Sequence, residues 1–416
     1  MHSFWMAGFE GADHVNAHGL ATDMVAISGH ADAIDEDFAR LKALGLTTVR
    51  ESIGWRLAEP GPRQPGASPY DFRRTLAMAR AAERHGIQIL WTLMHYGVPA
   101  GASLLDDSLV ERFATFADAV ARTLEPYGSQ PPVFTPINEI SYLAWSACET
   151  NAIHPHVGDR ADPRWRPMPD GFEVKRRLVR ATLAAIDAIR GASPDARFLH
   201  VDPLVHVVAP RDAEPALVAE AARFREFQWQ AWDMLTGRLE PGLGGSADAL
   251  DFVGVNHYVT AQWEFGTGAT LGWPRGTGGD DRRLPFASLL REAWLRYGKP
   301  VVVAETGNVG ADRAPWFEEI ASEVAQAIAG GVPVEGICLY PALDRPSWDD
   351  HHFWHRSGLF DARPGDDGPE VGEIPGRHLH APLADALARW RAGSPAGSAA
   401  SEAVRSTLRA RDVAPA

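Results

Sequence analysis

Cysteine is almost absent from this chain of 416 residues. Cys148 and Cys338 are the only two, and no C-x-x-C pair occurs. A disulfide framework is therefore excluded, and a reducing compartment is the simple expectation. Long apolar runs are missing as well. No stretch reaches the roughly eighteen uninterrupted apolar residues that a membrane-spanning helix needs. The first ten residues, M-H-S-F-W-M-A-G-F-E, hold no basic segment and no long apolar core, so no secretory leader is expected. A soluble, cytoplasmic protein with no membrane association follows as the expectation. Positive charge is scarce: 40 Lys and Arg face 54 Asp and Glu, a formal net charge of −14. Without a basic run, nucleic acid and anionic membrane surfaces are poor partners. No G-x-G-x-x-G opens a helix after the first apolar run, which removes support for a dinucleotide site.

What is present is ordinary globular material, 45% hydrophobic and 23% charged, with a high count of 14 tryptophans. Most of these suit a core, and a few suit stacking platforms for sugars. Short apolar or β-branched runs alternate with helical periodicity along the chain. The runs are Phe4–Phe9, Thr47–Ile53, Ile87–Leu93, Val133–Glu139, Phe198–Leu204, Phe252–Val259, Pro300–Glu305 and Val334–Leu343. Eight strands, each followed by a helix, point to an α/β fold, a closed (β/α)8 TIM barrel. We expect one catalytic domain over residues 1–391 and a flexible, small and polar tail over 392–416, with a short frayed helix near Ala400–Arg409. Long insertions near 141–171, 260–285 and 344–380 follow strand ends and belong on the rim. The segment His14–His30 reads as a polar loop.

Two of the runs end in a glutamate: V-F-T-P-I-N-E at Glu139 and V-V-V-A-E at Glu305. A strand buried on both faces does not need a carboxylate at its C-terminal end. In one barrel both would open on the face that carries the chemistry. Two facing glutamates there are the apparatus of glycoside hydrolysis.

Six short motifs in chain order carry a resemblance. They are R-E-S-I-G-W-R (Arg50–Arg56), T-L-M-H-Y-G-V-P (Thr92–Pro99), T-P-I-N-E (Thr135–Glu139), D-F-V-G-V-N-H-Y (Asp251–Tyr258), V-A-E-T-G (Val303–Gly307) and R-S-G-L (Arg356–Leu359). Over roughly residues 4–361 the chain resembles the family 1 glycoside hydrolases, retaining β-glycosidases of the barrel clan. The resemblance implies Glu305 as nucleophile, held ionised by Arg50 and the Tyr258 hydroxyl, and Glu139 as acid and then base. It implies that Asn138 reads the sugar 2-hydroxyl and that His95 and Asn256 bind other hydroxyls or buttress the carboxyls. Trp348 and Asp344 keep their places beside the pocket. The expected partner is a small-molecule glycoside, and no cofactor is needed because both tasks fall to carboxylates. Plainer readings stand beside these: Arg50 as a buried ion-pair partner, His95 as a core histidine and Tyr258 as packing.

The chain also departs from the family pattern. Gly8 stands where the family has glutamine, Tyr340 where it has a tryptophan, and Ser347 where it has a sugar-binding glutamate. Ile140 replaces the proline after N-E. These changes raise a second reading, a catalytically silent carbohydrate-binding barrel. The cluster Asp349, Asp350, His351, His352 and His355 raises a third, a metal site if that stretch were helical. The group Asp13, His14, Asn16 and His18 is open to the same reading, or to replacing the lost sugar contacts.

Overall fold

A computed structural model describes residues 1–61, 68–128, 131–150, 152–155, 171–273, 279–363, 369 and 373–393. Its centre is a closed barrel of eight parallel strands: β1 (Trp5–Gly8), β2 (Thr48–Ser52), β3 (Gln88–Met94), β4 (Val133–Ile137), β5 (Arg197–Pro203), β6 (Phe252–Asn256), β7 (Val301–Thr306) and β8 (Val334–Leu339). Each strand pairs with its neighbours in sequence, and β8 closes on β1 through Trp5 and Ile337. β-Branched and other apolar residues fill strands buried on both faces, so the runs are continuously apolar rather than alternating. Met6, Leu90, Val133, Leu199, Val302 and Cys338 form the interior cluster. A larger cluster lies between the strands and the surrounding helices.

The helices His30–Ala43, Arg73–His85, Ser108–Leu124, Gly171–Ala192, Phe286–Tyr297, Arg313–Ala329 and Ala381–Gly393 fall close to the periodic segments of the sequence. Gly86 closes the second of these at φ 66°, a left-handed cap that costs glycine little. Between β5 and β6 lie two further helices, Pro215–Glu226 and Gln230–Leu235, joined by a 3₁₀ turn.

Three expectations change. The insertion after β4 begins as a helix, Ile140–Glu149, immediately past Glu139. Its N-terminus is capped from another strand, because both Asp202 carboxylate oxygens of β5 accept from the Ser141 N–H at 3.1 and 3.2 Å. The sequence of the helix itself holds no such cap. The other insertions carry short pairings: His206–Val208 with Gln262–Glu264, Arg345–Pro346 with Trp354–His355, and Phe360–Asp361 with His378–Leu379. The segment from His14 to His30 is polar but partly packed: His14, Asn16 and His30 are buried, as is Asp13 before them, residues 17–21 are exposed, and Met24–Ile27 form a short helix. Asp13 accepts from the Gly97 N–H at 2.8 Å, and Asn16 donates to the Trp348 carbonyl at 2.8 Å, so this loop supports two walls of the rim.

Cys148 and Cys338 are both buried. Among the described residues no helix is long and apolar enough to cross a membrane. The helix expected at Ala400–Arg409, and the tail beyond Gly393, lie outside the described residues; Ala392 and Gly393 complete the last helix.

Candidate active site

Glu139 leaves the end of β4 at φ 47°, in the left-handed region where a non-glycine residue is uncommon. Its N–H still bonds the Val201 carbonyl at 3.0 Å, so β5 holds the turn. The turn points the side chain into the barrel mouth instead of along the strand. The residue is buried, with Oε1 accepting from Asn256 Nδ2 at 2.7 Å and Oε2 accepting from the Tyr96 hydroxyl. Every partner is neutral. Burial first, and then the charge of Glu305, push its pKa up to about 8 despite those two donors.

Glu305 is held differently. It sits on β7 with its Cα paired to Asn256 of β6, the residue whose amide reaches Glu139. One oxygen receives the Arg50 guanidinium and the other the Tyr258 hydroxyl at 2.8 Å. It therefore has a full counter-charge within hydrogen-bonding reach. Arg50, from β2, is buried, which opposes its charge, but Glu305 more than offsets that and keeps it protonated. Its second amino group donates to Asn138 Oδ1 at 2.6 Å.

That contact orients Asn138. Arginine only donates, so Oδ1 must face Arg50 and Nδ2 must face the other way. Nδ2 donates to His95 Nε2 at 3.0 Å and to the Tyr96 hydroxyl at 3.1 Å. His95 accepts there, so its proton lies on Nδ1 and points to Ser52 Oγ at 3.1 Å. Burial, then the nearby Arg50 charge, hold its pKa well below the ordinary value, which keeps the ring neutral.

The predicted residues Glu139, Glu305, Arg50, His95, Asn138, Asn256 and Tyr258 thus form one hydrogen-bonded set at the barrel mouth. Trp348 lies beside it, with its ring 5.6 Å from that of Tyr96 and 5.2 Å from that of His14. Asp344 takes no part in the set. It accepts from the Gly358 and Ala362 N–H groups and organises the last rim loop.

Three contributors, Tyr96, Asp202 and Glu10, escape the sequence reading, and a fourth, Asn16, entered it only as a candidate metal ligand or sugar contact. Tyr96 sat in plain view beside His95. Asp202 caps the helix behind Glu139, and its charge adds to the rise in the Glu139 pKa. Asn16 anchors Trp348. Glu10 is buried between the Tyr340 hydroxyl at 3.3 Å and Arg345 Nε at 3.1 Å. Only Glu10 carried a signal of the kind used for the two glutamates, a carboxylate just past a strand.

The departures have a physical basis. A Cβ on Gly8 would come within 2.5 Å of Tyr340 Cδ2, so the tyrosine ring fills the space above the glycine. Ser347 is used locally, its Oγ accepting from the Asp349 N–H at 3.3 Å. The stretch from Asp349 to His355 is turns and a two-residue strand, not a helix. Among the described residues no three His, Cys, Asp or Glu side chains gather as a metal site would need.

The chain matches the profile of glycosyl hydrolase family 1 over residues 10–238. Solved structures with the same fold include a β-glucosidase from Thermotoga maritima in complex with glucoimidazole. It is 15% identical at a TM-score of 0.68, covering 94% of this chain and 98% of that one. Another is the AHE enzyme from Alicyclobacillus herbarius, 16% identical at a TM-score of 0.69, covering 88% of each chain. No curated protein matches. With the family profile spanning more than half of its length, the chain belongs to glycosyl hydrolase family 1 and is a glycoside hydrolase.

Proposed function

We propose that this protein is a retaining β-glycosidase, with Glu305 as nucleophile and Glu139 as acid/base. The observation that carries the assignment is the asymmetry between two neighbouring carboxyls. Glu305 has a guanidinium and a phenol as partners, whereas Glu139 has only neutral donors. The guanidinium favours an ionised nucleophile, whereas at Glu139 burial and the charge of Glu305 outweigh the two neutral donors and favour a protonated acid. In the first step Glu305 attacks the anomeric carbon while Glu139 gives its proton to the leaving oxygen. In the second, Glu139 takes a proton from water as the water oxygen attacks the anomeric carbon, and the bond to Glu305 breaks, which releases the sugar and restores the Glu305 carboxylate.

Asn138 uses both amide hydrogens within the protein, on His95 and Tyr96. A sugar hydroxyl that takes one of them displaces a protein acceptor. Asn256 keeps a buried Oδ1 without a hydrogen-bond partner, an acceptor for a hydroxyl donor. Gly8, Tyr340 and Ser347 depart from the residues with which the family holds its sugar, and the Tyr340 hydroxyl bonds Glu10, which pairs with Arg345. This supports a glycone different from ordinary glucosides and galactosides. The substrate class is a small-molecule β-glycoside, and the reading requires no cofactor. We place the enzyme in the cytoplasm on its cysteine scarcity.

A panel of 2-deoxy-2-fluoro β-glycosides with dinitrophenyl leaving groups tests the assignment. The expected product is a covalent glycosyl adduct on Glu305, located by peptide mass spectrometry. An unlabelled Glu305 across the panel, with catalysis still measurable on the parent sugars, would refute it.

A further inference from the structure

We propose that Tyr96 is the positioning residue of Glu139, its hydroxyl holding Oε2 and setting how readily that carboxyl passes between its neutral and ionised forms. This rests on the reading of Glu139 as acid/base.

Tyr96 follows His95 just past the end of β3, where the family motif has tryptophan. Its backbone lies at φ 81°, in the left-handed region. Among the described residues only four non-glycines do so: Tyr96, Glu139, Asp212 and Glu240. Two of the four are this hydrogen-bonded pair. Such a backbone persists in a bulky residue only where its surroundings over-determine it. Here they do. The ring is 1% exposed and meets His95 at 4.8 Å, Tyr142 at 5.6 Å, Trp348 at 5.6 Å and His14 at 6.1 Å between centroids.

The direction of the hydroxyl proton is also settled. Arg50 fixes Asn138 Oδ1, so Asn138 Nδ2 donates to the Tyr96 oxygen. The phenol proton is left for Glu139. One hydrogen-bonded path therefore runs from Glu305 through Arg50, Asn138 and Tyr96 to Glu139. A tryptophan in place of Tyr96 has no atom able to both accept from Asn138 and donate to Glu139. A phenol that donates to a carboxylate favours its ionised form. Tyr96 thus opposes the burial and the Glu305 charge that favour the neutral one. The titratable groups that face Glu139 are Glu305 of β7, Asp202 of β5, Tyr258 past the end of β6, Tyr142 of the helix that follows Glu139, and Tyr96 itself. Those facing Tyr96 add His95 and His14.

The test is a carbon-13 NMR titration of the full chain carrying δ-labelled glutamate, with the Glu139 signal assigned by its loss in Glu139→Gln. In Tyr96→Phe the Glu139 midpoint should move up by about one pH unit, a roughly tenfold change in proton affinity. 3-Fluorotyrosine placed at position 96 by suppression is a stronger donor that keeps the ring, and it should move the midpoint down. A midpoint unmoved by either change overturns the proposal, as does movement in the opposite sense. The readout needs no turnover. Failure to label Glu305 would count against the glycosidase assignment and leave the titration result standing.

Discussion

Two glutamates of the same type and similar burial are set apart by what touches them. The residue-scale prediction follows from Glu139. In its proposed role as the acid it must be protonated, so kcat/KM should fall as pH rises through about 8, the value to which burial and Glu305 push it. A profile on an aryl glycoside checks this, and the alkaline limb should vanish in Glu139→Ala. That variant should lose about 10²–10⁴-fold on substrates with poor leaving groups while sparing dinitrophenyl glycosides in the first step. Glu305→Gln should abolish turnover with every leaving group, because no covalent intermediate can form.

At the scale of elements, β1 and β8 share one volume. Gly8 of β1 has no side chain, and Tyr340, just past β8, occupies the space it leaves. Gly8→Ala should cost about 1–3 kcal/mol by overpacking. In a Tyr340→Ala background the same change should cost far less, a non-additivity that urea unfolding of the four proteins measures. Strictly additive costs would show that the two positions do not compete. The helix Ile140–Glu149 depends likewise on β5 through Asp202. Asp202→Ala should loosen the turn at Glu139 and lower kcat more than it raises KM, a split visible in steady-state kinetics.

The whole molecule carries an unusual load of buried ionisable groups, and their signs give a stability profile. Burial pushes Asp13 and Asp202 up to about 7 and Glu139 to about 8. Each of these groups binds its proton more tightly folded than unfolded. Their contribution is present at low pH and is lost as pH rises through those values. His30, buried between Asp37 and Glu51, is also raised despite its burial, because the charge and hydrogen bond of Glu51 and the hydrogen bond of Asp37 outweigh the desolvation. It acts in the same direction above its ordinary value. Burial holds His200, His206 and His257 near 4, which works the other way, but only up to about pH 7.5, one unit above the midpoint of the unfolded imidazoles. Stability should therefore fall from about pH 7.5 to 8.5, in a window where these histidines no longer titrate. Thermal unfolding at constant ionic strength checks it; a flat or rising Tm across that window would contradict the assigned directions.

The period of the sequence was enough for the barrel. Alternating apolar runs and helical segments are local properties, and burial on both faces leaves continuous V, I and L runs that can be read without coordinates. The two strand-end glutamates were legible for the same reason, since a carboxylate is out of place where a packed strand ends. Arg50, Asn138, Asn256 and Tyr258 came from motif order, and the structure brings them into one set. What the tertiary structure alone decided is which partner each carboxyl has. Tyr96 reaches Glu139 across 43 positions, and Arg50 reaches Glu305 across 255. The cap of the helix after Glu139 comes from another strand, and the ring filling Gly8 comes from just past the last strand, which barrel closure sets beside the first. Hydrogen bonds and excluded volume act through space, so the closure of the sheet, which sets those distances, had to exist before the chemistry of each group was defined.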